Sequence, residues 1–360
     1  MSWLTILFLG LAGYVPTLHA QTRWRVDQRP LVVVGPSSPA GATPLGEVTG
    51  AHRRPDGSLV VADGTAPALR FFDPEGRMIA SAGRAGGGPG EYRVISWMGR
   101  CGGDSLAAYD LYQRKFSIVD NAGRFVRHVP APGDAAAISC ADDGSIAIVG
   151  SPSSAQGADR RVRARVSMLT RAGEARVAIP DVPFYEMTSA SGVPLLNPLG
   201  PTTTIALGRE RIFVATGTGM AIDAYDLTGR ELAALAVPGT RRRPTEAHRA
   251  ASVSEFLRFT TDLAMRRAME AQLANLPLPD ALPPYSAVLV DSERLPWVHR
   301  SVPGDVASDL SVLSQDGRWV ADVRIPSYVR IFEVGRDYIV GANLSDDGEP
   351  QVSVWRLRRG

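Results

Sequence analysis

A nine-residue segment that recurs six times limits the possible folds of this chain more than any other feature. Six windows align without gaps, and the first five carry glycine at the eighth position. The windows are LRFFDPEGR (69–77), FSIVDNAGR (116–124), VSMLTRAGE (166–174), IDAYDLTGR (222–230), LSVLSQDGR (310–318) and VSVWRLRRG (352–360). An apolar run that ends in a polar pair and glycine is typical of a strand entering a tight hairpin, because glycine adopts positive φ without strain.

A second apolar window comes before each of these segments. These windows are DGSLVVAD (56–63), GDSLAAYD (103–110), DGSIAIVG (143–150), RERIFVAT (209–216), ERLPWVHR (293–300) and GRDYIVGA (335–342). The nine-residue windows start 47, 50, 56, 88 and 42 residues apart, so the longest spacing holds one unit plus an insertion. Four-stranded units of about 40–50 residues are typical of propeller blades. The repeat predicts an all-β, six-bladed β-propeller of four-stranded antiparallel blades, with a solenoid or two stacked sandwiches as alternatives.

The sixth unit has no outermost strand after its nine-residue window. A sheet edge left open in this way promotes aggregation, so the missing strand must come from elsewhere in the chain. Residues 30–35 (PLVVVG) form a lone apolar run before the first complete unit. We expect this N-terminal strand to pair with residues 352–357 and to close the ring.

One glycine-rich element links the chain to a known family. The sequence GRAGGGPGEY (83–92) is followed by an apolar strand and by DSLAAYD, and residues 44–47 (PLGE) are a degenerate copy. In these motifs the mature chain, residues 23–360, resembles exported bacterial six-bladed β-propeller proteins of the NHL-repeat/TolB-like group. The resemblance implies the fold. It carries no catalytic residue set, because propellers of this group have diverse functions.

The N-terminus is typical of an export signal. Residues 1–20 carry no Asp, Glu, Lys or Arg, and the apolar run 3–15 ends before Pro16. That run is shorter than the ~20 residues that a membrane-spanning helix needs. We predict a signal peptide at 1–20, cut after Ala20, with an uncleaved anchor as the alternative. A single propeller domain at 21–360, without a transmembrane segment, would then lie in the periplasm or outside the cell.

Charge and motif content narrow the function classes. The chain has 39 Lys+Arg against 37 Asp+Glu, a net charge of +2, which argues against a nucleic-acid partner. The sequence contains no GxxxxGK[ST], HExxH or GxSxG motif. We therefore expect no cofactor, although a metal ion in the channel stays possible, and we expect a monomer.

The long connections are predicted to share one face of the ring. Strand direction alternates within a blade, so connections that lead to an innermost strand or join the second strand to the third lie together. These long connections are 36–46, 83–91, 151–162, 181–201, 239–284, 301–309 and 343–350. We call this side the loop face, and the opposite side, which carries the short glycine turns, the turn face. Long loops on a rigid scaffold are where binding sites usually lie, so the loop face is the predicted functional face.

The insertion 240–284 is predicted to be helical. Pro244 lies where a helix starts well, and residues 246–276 contain no Gly or Pro. We expect one long or two shorter helices over the loop face. They would act either as a lid over a ligand site or as a cover for apolar blade surface.

Five residues are candidates for ligand contact on the loop face: Glu47, Glu91, Arg93, Arg241 and Arg242. The first three lie where innermost strands begin. Glu47 and Glu91 could line the channel mouth and bind a metal, as in some lactonase-type propellers, or they could cap glycine-rich turns. The two arginines lie at the base of the insertion, where they could meet an anionic ligand or form a solvated turn.

Two cysteines follow the signal, Cys101 and Cys140, each at the end of an innermost strand in consecutive blades. In an oxidising compartment they could form a disulfide, or they could be two buried thiols.

These observations favour a non-enzymatic binding or scaffolding propeller that recognises a protein, peptide or glycan on its loop face. The alternative is a metal-dependent hydrolase, lactonase or lyase with its site at the channel mouth. Three or more converging carboxylate, Asn or His side chains would favour the enzyme, whereas an aromatic and arginine-lined groove would favour binding.

Overall fold

The chain forms a ring of six antiparallel sheets around a central channel. The computed structural model describes residues 22–156, 161–190, 193–257, 260 and 262–360. The innermost strands of successive sheets contact one another around the whole ring, from the sixth sheet back to the first. The prediction of a six-bladed β-propeller is therefore confirmed. The predicted signal peptide lies outside the described residues.

Each blade has four main strands, which follow one another from the channel outwards. Blade 1 comprises Val48–Arg53, Leu59–Asp63, Ala68–Phe72 and Met78–Ala82; blade 2 comprises Ile95–Arg100, Leu106–Asp110, Lys115–Val119 and Phe125–Pro130. Blade 3 comprises Ala135–Cys140, Ile146–Gln156, Arg161–Leu169 and Ala175–Ala190; blade 4 comprises Thr204–Leu207, Arg211–Ala215, Ala221–Asp226 and Glu231–Ala236. Blade 5 comprises Ala287–Val290, Pro296–His299, Ser308–Leu313 and Trp319–Ile325; blade 6 comprises Arg330–Val334, Tyr338–Leu344, Pro350–Arg358 and the N-terminal Val32–Val34.

Five shorter strands complete the part of the chain that the structure describes. Val193–Leu196 extends blade 3 at its outer edge, and Arg84–Ala85 pairs with Glu91–Tyr92 in the glycine-rich connection after blade 1. The remaining two, Thr22–Arg23 and Arg25–Val26, extend blades 5 and 6 respectively.

The N-terminal strand closes the ring, as predicted. Val32, Val33 and Val34 pair in antiparallel register with Val354, Ser353 and Val352. Just upstream, Trp24 is buried against Trp297 of blade 5, with ring centroids 5.7 Å apart. The N-terminal segment thus covers the outer edge of blade 6 and contributes to the core between blades 5 and 6.

Apolar clusters fill the interfaces between neighbouring blades. Leu59 and Val61 of one strand pack towards blade 6, whereas the alternating Val60 and Ala62 pack towards blade 2. A strand whose two faces both meet a neighbouring sheet is buried on both, which explains why the repeated windows are continuously apolar. The same arrangement recurs at the other four blade interfaces.

Blade 3 departs from the prediction. Connections expected at 151–162 and 181–201 are largely strand, because Ile146–Gln156, Arg161–Leu169 and Ala175–Ala190 continue beyond the blade body. Register shifts let the paired strands bend and continue. The guanidinium of buried Arg161 donates to the carbonyl of Phe184 and to the Thr203 hydroxyl, which holds the extended strands against blade 4.

The insertion contains two helices, α1 (Glu246–Phe256) and α2 (Leu263–Leu273). Thr245 caps α1, and the Asp262 side chain accepts the backbone N–H of Met265 to start α2. The helices share an apolar cluster that includes Val253 and Leu273 and packs against Leu195 of blade 3. Leu195 belongs to the 181–201 segment, so the insertion lies on the predicted loop face.

Candidate functional site

A cavity of about 760 Å³ occupies the centre of the ring. All six innermost strands line it, and its walls run from the loop face to the turn face. Its volume is in the range of small-molecule sites, about 300–1,000 Å³. The channel is therefore the main candidate site, and its two ends differ in chemistry.

At the loop face, Arg330 links the channel to the helical insertion. It begins the innermost strand of blade 6 and lines the cavity. Its guanidinium donates to the Glu47 carboxylate at 2.9 Å and contacts Glu255 of α1 at 3.4 Å. The aromatic ring of Phe332 lies 5.2 Å from the same guanidinium. One arginine thus joins blade 1, blade 6 and the insertion at this mouth.

The five predicted contact residues do not form one site. Glu47 lies at the mouth beside Arg330, with 12% of its side chain exposed. Glu91 instead closes the glycine-rich turn, where it accepts the backbone N–H groups of Gly87 and Gly88 and pairs with Arg84. The N–H of Gly88, followed by the Arg84 guanidinium, holds the pKa of Glu91 below its usual value.

The three predicted arginines lie elsewhere. Arg93 is exposed, and its backbone N–H donates to Asp110. Arg241 donates to the carbonyl of Thr218, and Arg242 makes a bidentate pair with Asp305 at 2.7 and 2.9 Å. Asp305 also contacts His248 of α1 at 3.1 Å, so Arg242 anchors the base of the insertion to blade 5.

Towards the turn face, the cavity contains a hydrogen-bonded cluster that the sequence did not reveal. His52 Nδ1 lies 2.7 Å from one oxygen of Glu333, and the Tyr338 hydroxyl donates to the other oxygen at 2.7 Å. Burial, followed by the nearby Glu333 charge, raises the pKa of Tyr338. His52 and Glu333 are 281 residues apart, and their only sequence signal is a position near the end of an innermost strand.

Arginines and a disulfide lie at the same end. Arg100 and Arg294 both pair with the carboxylate of Asp142, and Arg53 stacks over the Tyr338 ring at 4.8 Å. Cys101 and Cys140 form a disulfide with their Cα atoms 5.2 Å apart. The sequence left open whether the two cysteines form a disulfide or remain free thiols, and the structure shows the disulfide.

The described ranges contain neither a metal cluster nor a helix that could cross a membrane. No three His, Cys, Asp or Glu side chains in this part of the chain are grouped closely enough to hold a metal ion. Neither described helix is long and apolar enough to cross a membrane.

Comparisons with known proteins show the fold. No family model and no curated protein sequence matches the chain. A solved structure from Bacteroides fragilis, described as an exported protein, matches at 12% identity and a TM-score of 0.52 over 93% of this chain and 95% of the other. A member of the DUF4221 family from Bacteroides vulgatus matches at 9% identity and a TM-score of 0.55, covering 94% and 100%. A streptogramin B lyase matches at 12% identity and a TM-score of 0.45, covering 89% and 96%.

Proposed function

We propose that the chain is an exported binding propeller of the NHL-repeat/TolB-like kind, which recognises a peptide, protein or glycan segment at the loop-face mouth of its channel. The observation that carries this proposal is the contact of Arg330 with both Glu47 and Glu255. This contact places the insertion beside the one mouth that long connections surround. Likeness to a protein described as exported supports the compartment.

Two of the ion pairs that hold the insertion differ in geometry and burial, as a lid requires. At its base, Arg242 and Asp305, 40% and 14% exposed, make a bidentate pair that His248 of α1 also contacts. At the mouth, Glu255 and Arg330 are 41% and 30% exposed and 3.4 Å apart. Exposed pairs of this kind contribute about 0–1 kcal/mol. A ligand carboxylate or hydroxyl can therefore replace Glu255 on Arg330 at little cost, while the base holds.

Binding is tested with the mature protein on an array of oligosaccharides and a library of peptides. Ligands that bind the wild type should bind Arg330→Ala at least about tenfold more weakly, the loss expected for one charge-assisted hydrogen bond. Arg324→Ala is the matched control, because Arg324 is an exposed arginine paired with Asp309 on the outer part of blade 5. If no ligand is found, or if Arg330→Ala binds as the wild type does, the proposal is wrong.

A hydrolase or lyase is the second candidate, and the His52–Glu333 pair favours it. When Nδ1 donates to the carboxylate, Nε2 of the ring is the nitrogen that can accept a proton, and a carboxylate-oriented histidine is the usual general base. Mass spectrometry of every ligand recovered after incubation separates the two candidates. An unchanged ligand supports binding alone, whereas a product that disappears with His52→Gln supports the enzyme.

A further inference from the structure

The turn-face end of the cavity is lined by four arginines, and most of the carboxylates beside them are already engaged. Its lining includes Arg53, Arg54, Arg100 and Arg294, with Asp142, Asp291, Glu333 and Asp337. Asp291 is fully buried and pairs with Arg359, which lies outside the lining. Glu333 already accepts hydrogen bonds from the Tyr338 hydroxyl and the backbone N–H of Arg53, and Asp337 is exposed.

One carboxylate serves two guanidinium groups at this end. Asp142 of blade 3 accepts from Arg100 of blade 2 at 2.7 Å and also pairs with Arg294 of blade 5. Arg294 therefore reaches across the channel, past blade 4. Burial, followed by the neighbouring Arg100 charge, lowers the pKa of Arg294. Arg53 lies over the Tyr338 ring, and its Nε is buried without a hydrogen-bond partner.

The backbone positions of the residues that carry these groups are fixed by the fold. Arg100 precedes Cys101, and Asp142 lies two residues after Cys140, so the disulfide ties together the two turns that carry them. The N–H of Gly102 also donates to the carbonyl of Ala141 at 3.1 Å.

Arg294 is held in an unusual backbone conformation. Its φ is +70°, a left-handed value that a non-glycine residue adopts at a cost of about 1–3 kcal/mol. The Asp291 carboxylate maintains the turn by accepting the N–H groups of Glu293 and Leu295. Strain of this kind is concentrated at ligand sites, where a side chain must be aimed in one direction.

We propose that this end of the channel is a binding site for an oxyanion, a carboxylate or a phosphate group carried by a small molecule. Asp142 holds the place of such a group, because it presents two oxygens to two guanidinium groups as a bound carboxylate does. Its side chain is 53% exposed on a turn, so it can move aside when the ligand binds. Arg53 supplies a third donor, and the Trp97 ring supplies apolar lining.

The test is a calorimetric titration of the mature protein with inorganic phosphate and, separately, with succinate, at constant ionic strength. Saturable binding of either anion is expected. Asp142→Asn should bind at least about tenfold more tightly, because both guanidinium groups are released, and Arg100→Gln and Arg294→Gln should bind at least about tenfold more weakly. The preference between the two anions identifies the ligand as a phosphate or a carboxylate.

Matched variants separate this site from a purely structural ion pair. Asp120→Asn and Arg124→Gln break an exposed pair on the rim of blade 2 and should bind like the wild type. Arg53→Gln breaks no ion pair described for this residue and should weaken binding even if Arg294→Gln fails to fold. The inference is overturned if neither anion binds, if Asp142→Asn binds the anion no more tightly than the wild type, or if folded arginine variants bind it as the wild type does. None of these variants touches Arg330 or the insertion, so that failure would leave the loop-face proposal standing.

Discussion

Loss of the Cys101–Cys140 disulfide should destabilise the propeller by an amount that follows from its place in the chain. The crosslink closes a loop across 39 residues, which in the chain-entropy model removes about 13 cal/mol/K from the unfolded state, or about 4 kcal/mol at 25 °C. For the roughly 340 residues of the predicted propeller domain, 21–360, the unfolding entropy is about 0.7 kcal/mol/K near 60 °C. The melting temperature should therefore fall by about 6 °C.

Two perturbations separate the stability that the crosslink contributes from the stability that packing of the sulfur atoms contributes. Reduction of the wild type keeps both sulfurs in the apolar cluster of blades 2 and 3, whereas Cys101→Ala/Cys140→Ala removes them as well. Both should lower the melting temperature measured by differential scanning calorimetry, the double variant by somewhat more. Alkylation mass spectrometry before reduction should find no free thiol. Two alkylated cysteines at that stage, or an unchanged melting temperature after complete reduction, would refute the reasoning.

Two further predictions concern the ring and a buried histidine. Deletion of residues 21–36 exposes the sheet edge at Val352–Val354 and removes the buried side chains of Trp24 and Val34. The free energy of unfolding should fall by about 3–5 kcal/mol or more, and the protein should aggregate. Unchanged melting and gel-filtration profiles would disprove the closure of the ring by this segment. Burial lowers the pKa of His299 from 6.5 to about 4. As the pH falls from 6.5 towards 4, the unfolded chain binds a proton at this residue that the folded chain does not. The free energy of unfolding should therefore be highest above pH 6.5 and fall by about 3 kcal/mol as the pH approaches 4. Urea unfolding across this pH range should show this fall in the free energy of unfolding, and His299→Gln should remove the part that this histidine contributes.

The fold could be predicted from the sequence because the blade repeat is local. Each window of apolar residues and glycine specifies a strand and its turn, and the strand missing from blade 6 could be assigned by elimination. The helical insertion was also predictable, but the number of its helices was not. The insertion forms two helices because Asp262 caps the start of α2 inside a stretch without Gly or Pro, where the sequence gives no other sign that a helix ends.

The site was less predictable because its contacts join distant parts of the chain. Arg294 and Asp142 lie in blades 5 and 3, and their approach depends on the width of the channel and on a left-handed turn residue. Glu47, a predicted contact residue, lies beside the mouth in contact with Arg330, which the sequence analysis did not single out. Glu91 and Arg242 hold the loops in place instead, as the alternative interpretations allowed.

A single-thiol accessibility measurement tests the central claim, that the insertion covers the loop-face mouth of the channel. Ser96 lies near the loop-face start of the innermost strand of blade 2 and lines the cavity. Both native cysteines are in the disulfide, so Ser96→Cys supplies one reactive thiol. Ser81→Cys, exposed on the outermost strand of blade 1, is the matched control.

The maleimide labelling rate of each thiol is compared between the intact propeller, residues 21–360, and a variant in which a short Gly/Ser linker replaces residues 241–283. The cores lie between the blades, so the ring should stay folded without the insertion. Labelling of the Ser96→Cys thiol should then become several-fold faster, while the Ser81→Cys thiol reacts at an unchanged rate. An unchanged rate at the channel position, or unfolding of the ring, would show that the insertion is a structural brace and would contradict the account.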